Sequence, residues 1–76
     1  MTAYDAEHES PASLVRMANQ IASNAEHRPH AEAVDVVAAH LREFWAPSMR
    51  TRLLEHVDAG GEGLSPLVRE AVQHLR

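Results

Sequence analysis

The 76 residues fit one domain, and the formal charge of −4 comes from 11 acidic side chains against seven basic ones, all of them arginine. The chain has no Cys and no Lys. That removes disulfides, cluster-ligating and nucleophilic thiolates, the usual structural zinc set, Schiff-base lysines and Walker-type phosphate-binding lysines. A single core of this size supplies roughly 3–5 kcal/mol of net stability, so a partner matters to such a chain. Only Tyr4, Phe44 and Trp45 are aromatic, and Ala, Leu and Val must build the rest of the core, a composition that favours helix over sheet.

Residues Met1 to Glu9 carry Asp5, Glu7 and Glu9 without an apolar stripe, so we expect a flexible acidic tail over 1–9 and a single helical domain over 10–76. Ser10-Pro11 is a helix start, a capping hydroxyl followed by a proline suited to the first turn. Leu14, Met17, Ala18, Ile21, Ala22 and Ala25 then recur at three- and four-residue spacing, which predicts an amphipathic helix to about Asn24. Pro29 interrupts that pattern. A second helix is predicted from about Ala31 to Trp45, with Val34, Val37, Ala38, Leu41, Phe44 and Trp45 on one side and Glu32, Asp35, Arg42 and Glu43 on the other.

Ala46-Pro47 ends this helix and opens the next, making a corner beside Trp45. Met49, Leu53, Leu54 and Val57 give a third stripe to about Asp58, stopped by Gly60-Gly61. Ser65-Pro66 repeats the cap-then-proline start, and Leu67, Val68, Ala71, Val72 and Leu75 predict a last helix running to the C-terminus. The expected fold is therefore all-α, a compact bundle of about four short helices. No apolar run is long enough to span a bilayer, and the N-terminus has neither a basic segment nor an apolar signal core, so the cytoplasm is the expected compartment.

Several groups invite a chemical reading. His27 and His30 could present two imidazoles to a metal, but local spacing supplies no third ligand, and surface histidines are the simpler expectation. His74 follows Glu70 by four residues and is expected to pair with it on the helix surface. His40 is expected on the boundary of the second helix. Gly60-Gly61-Glu62-Gly63 follows a helix and contains a carboxylate, so it reads as a helix-stop loop and not as a phosphate cradle. Arg42, Arg50 and Arg52 form a basic cluster near the corner. It would serve a free-standing regulator binding nucleic acid, a reading that the overall negative charge opposes. Phe44-Trp45-Ala46-Pro47 is the most distinctive group: an aromatic pair at a helix end either plugs the core or is shared with a partner, since Trp and Arg dominate binding hot spots.

Three segments, Leu14 to Ile21, His40 to Arg50 and Gly60 to Val68, resemble the delta subunit of soluble NAD-dependent formate dehydrogenases in order and spacing, over about residues 13 to 75. The family usually has Asp before the corner proline and Arg after it, where this chain has Ala46 and Ser48. Loss of an N-cap aspartate costs typically about 1 kcal/mol, so the third helix is expected to start less firmly. The resemblance implies a non-catalytic accessory subunit, binding no cofactor itself, that supports assembly or stability of a complex oxidising formate with NAD. In that complex the catalytic alpha subunit carries a molybdenum or tungsten pterin and iron–sulfur clusters, and other subunits hold FMN and further clusters. The alpha subunit is the expected partner, met through Phe44, Trp45, Pro47, Met49 and Arg50 at the corner, with Arg16, Asn19 and Gln20 from the first helix.

Overall fold

The computed structural model describes residues 10–76, which form four α-helices and a short 3₁₀ turn; among the described residues there is no strand. The expected tail over residues 1–9 lies outside the described residues. Helix α1 spans Pro11–Ala25. Ser10 adopts the extended conformation of an N-cap, and its Oγ accepts a hydrogen bond from the Ser13 N–H at 3.3 Å. Helix α2 spans His30–Phe44 and begins without a side-chain cap.

Helix α2 ends one residue earlier than its apolar pattern suggests. Trp45 leaves the helix with φ −88° and ψ 139°, although its N–H still reaches the Leu41 carbonyl at 3.2 Å. Ala46 is extended too, as a residue before proline must be. Helix α3, Pro47–Asp58, then starts with no capping side-chain hydrogen bond from Ala46, as the absence of an aspartate there leads one to expect.

Helix α4 is Pro66–Val72, capped by the Ser65 Oγ, which accepts from the Val68 N–H at 3.3 Å. Here the expectation of one helix to the C-terminus is corrected. The chain tightens at Val72 into a 3₁₀ turn over Gln73–Leu75, a common way for a last helical turn to close. Arg76 beyond it donates to the Gln73 Oε1 at 3.1 Å and pairs with Asp58 at the end of α3.

One core joins all four helices. Its largest fully buried side chains are Leu14, Val37, Leu41, Leu53, Val68 and Val72, drawn from every helix. Helix α1 meets the core mainly through Ala18, Ala22 and Ala25, all 2% exposed or less. Such small side chains let neighbouring helices approach closely. Trp45, 6% exposed, is the bulkiest side chain of the same core.

The glycine loop between α3 and α4 is tied down from several sides. Gly60, Gly61 and Gly63 all have positive φ, at 123°, 65° and 86°, so the chain turns where side chains are disfavoured. The Gly61 carbonyl accepts from the Arg69 Nη2 at 2.7 Å, and the Glu62 carbonyl from the His56 Nε2–H at 2.8 Å. The Gly60 and Gly61 N–H groups return to the Val57 and His56 carbonyls at 3.0 and 2.8 Å, closing the end of α3. Amides engaged in this way are not offered to a phosphate, in keeping with a helix-stop loop.

Candidate docking surface

Two ridges beside the core border a groove. On α1, Met17 and Ile21 lie four residues apart at the edge of the buried stripe, both half-buried, with Arg16 and Gln20 exposed next to them. On α2, Val36, His40 and Phe44 follow at the same interval. The His40 and Phe44 rings contact each other with centroids 4.8 Å apart and planes inclined by 46°. Between the ridges lies an open cavity of about 460 Å³ lined by Arg16, Met17, Gln20, Ile21, His40 and Trp45. A second cavity of about 220 Å³ shares Ile21 and His40 with it and continues past Asn24 and Val36 to Arg28. The floor is apolar and the margin polar, the usual build of a protein-binding site.

The corner divides the aromatic pair. Phe44 is 71% exposed and is the large hydrophobic side chain left most open to solvent among the described residues, whereas Trp45 is buried and borders the cavity. Sequence adjacency made them one group, and the end of the helix separates them. Pro47 is exposed on the corner, and Met49 is buried at 8%. Arg50 is half-buried, and its Nη1 donates to the Arg42 carbonyl at 2.9 Å and the Trp45 carbonyl at 2.8 Å. Those are acceptors left open at the end of α2, so Arg50 caps that helix from the next one.

Of the other expected contact residues, Arg16 and Gln20 reach the groove and Asn19 does not. The Asn19 Nδ2 donates to the Gly63 carbonyl, and its Oδ1 accepts from the Ser65 N–H, each at 2.9 Å. The amide thereby fastens the middle of α1 to the glycine loop. Sequence reasoning missed Met17, Ile21 and His40 as groove residues. The first two were absorbed into the core stripe. The four-residue spacing of His40 and Phe44 was the available signal for an exposed aromatic ridge.

The alternative sites dissolve into structural roles. His30 Nε2 meets the Glu70 Oε1 at 2.7 Å, which corrects the expected Glu70–His74 pair: the 3₁₀ turn removes His74 from helical register, and Glu70 turns to α2. Among the described residues no three His, Cys, Asp or Glu side chains gather where they could hold a metal ion. In the basic cluster, Arg42 donates to the His74 carbonyl at 3.4 Å and Arg50 caps α2, so two of its three cations face the backbone. Nothing in that arrangement supports nucleic-acid binding. No helix among the described residues is long and apolar enough to cross a membrane.

The fold and surface together define a small all-helical protein with one shared core and an apolar-floored groove between its first two helices. Residues 13–72 match the family described as NADH-dependent formate dehydrogenase delta subunit (FdsD), and the chain belongs to that family. No curated protein and no solved structure matches it.

Proposed function

We propose that this chain, folded as one helical domain over residues 10–76, is a non-catalytic accessory subunit of a cytoplasmic formate dehydrogenase complex. It docks on the catalytic alpha subunit through the α1–α2 groove and supports assembly or stability of the enzyme. The observation that carries this reading is Phe44, a phenyl ring 71% exposed and in contact with His40, which lines an apolar-floored groove. An exposed aromatic next to a concave apolar surface is the arrangement that binding hot spots use. Iron–sulfur clusters are held by cysteine thiolates, which this sequence lacks, so in this reading the clusters, the molybdenum pterin and the FMN belong to the other subunits.

The test is co-purification of the tagged chain with the other subunits from cells expressing the whole complex, alongside a strain in which this chain is deleted. Reduced assembly or faster loss of formate-dependent NAD reduction is expected in the deletion strain. A fully assembled enzyme of normal stability there would contradict the proposed role. Phe44→Ser removes an exposed side chain, so its effect on folding is expected within about 0.5 kcal/mol. If the ring is a hot spot worth about 2 kcal/mol, docking weakens roughly 30-fold. Unchanged association of a normally folded Phe44→Ser variant would move the interface off this groove.

A further inference from the structure

We infer that the α1–α2 groove takes an acidic amphipathic helix of the partner, a statement that rests on the docking role just proposed. The chain as a whole carries 11 carboxylates against seven arginines, yet neither cavity of the groove is lined by a single Asp or Glu. Their lining includes instead Arg16 at one end, Arg28 at the other and His40 between them. The carboxylates of α2, Glu32, Asp35 and Glu43, lie outside the lining, on exposed positions. Glu32 pairs with Arg28 at 3.3 Å and partly offsets that cation, whereas the Arg16 Nη2 donates to the neutral Ser13 Oγ at 3.3 Å. A groove lining that carries arginine and no carboxylate is complementary to negative charge.

The shape favours a helix. Met17 and Ile21 on one ridge, with Val36, His40 and Phe44 on the other, repeat every four residues along helix faces. A groove between two helices receives the side-chain ridges of a third. Anchors spaced i, i+4 and i+7 on an incoming helix match that repeat, the mode by which amphipathic helices fill hydrophobic grooves. Carboxylates along the flanks of such a helix would meet Arg16 and Arg28, and its apolar side chains would cover Met17, Ile21 and the open edge of Trp45.

The experiment uses the full chain in cells expressing the whole complex. A photo-crosslinking phenylalanine analogue replaces Gln20 on the groove margin, and mass spectrometry identifies the peptide it captures. The expected capture is a helix-forming segment of another subunit with net negative charge. In parallel, the double reversal Arg16→Glu with Arg28→Glu is expected to lower co-purification at least tenfold. Arg52→Glu, which lines a different surface beside Pro11 and Glu55, should leave it unchanged. Capture of a neutral or basic segment, or a reversal without effect in a folded variant, overturns the acidic-helix inference and leaves the docking role standing. Capture of a second copy of this chain overturns it also. Absence of capture while the wild-type chain still co-purifies removes the groove as the interface. Failure of the wild-type chain to co-purify removes the docking role itself.

Discussion

Trp45→Ala is expected to leave much of the domain unfolded at 25 °C. Replacing a buried tryptophan by alanine costs about 3–5 kcal/mol, through lost transfer energy and the cavity left behind. A chain of 76 residues has roughly that much net stability in total. The cavity here has no easy means of collapse, because the corner is set by Ala46-Pro47 and the Arg50 cap. Far-UV circular dichroism of the variant should show a large loss of helical signal, or a midpoint lowered by well over 10 °C, since about 1 kcal/mol shifts a domain of this size by roughly 4–8 °C. A midpoint within about 5 °C of the parent protein would mean that the indole packs like a surface group. Trp45→Ala is consequently a poor probe of docking, and Phe44→Ser is the informative substitution at this corner.

The second large effect is expected at Asn19. Alanine there leaves the Ser65 N–H and the Gly63 carbonyl without their side-chain partner, and the first of these is partly buried at the cap of α4. Leaving such groups unpaired costs about 1–3 kcal/mol, a midpoint lower by roughly 5–15 °C. Asn19→Asp keeps an acceptor for the Ser65 N–H but sets a carboxylate oxygen against the Gly63 carbonyl, so it should recover only part of the loss. Hydrogen exchange supplies the local readout: the Ser65 amide is expected to exchange much faster in Asn19→Ala. An unchanged rate at Ser65 would show that the loop is held by Arg69 and His56 without help from α1.

These two residues also mark what could and could not be read from the sequence. The helix starts were legible because Ser10-Pro11 and Ser65-Pro66 act through their own neighbours, and both serines cap as their chemistry requires. The apolar stripes were legible because helix periodicity is local, and the buried positions of α1 and α2 follow it. Asn19 was not legible, since its partners lie 44 and 46 residues away, across a loop whose path depends on three positive φ angles. The capping role of Arg50 was not legible, because its acceptors are carbonyls, which every residue carries and no sequence pattern displays. Glu70 was assigned to His74 by helical spacing, and the assignment failed where the helix tightened. Of the expected contact residues, Arg16, Gln20 and Trp45 do converge on one groove, but Met49, Arg50 and Asn19 hold the fold together around it. Groove and core share helix faces, and residues at their boundary, such as Met17 and Ile21, look like core from sequence alone.

The placement of Trp45 gives the molecule an optical property of its own. It is the sole tryptophan of the chain, wedged against the centre of the fold on one side and bordering the open cavity on the other. Its fluorescence therefore answers to two events that usually need separate labels. Loss of packing would expose the indole and move its emission to the red, whereas closure of the groove by an incoming side chain would strip away the last water at its edge and move emission to the blue. One native chromophore can thus follow both the integrity of the helical fold and, under the proposed docking, the arrival of a partner.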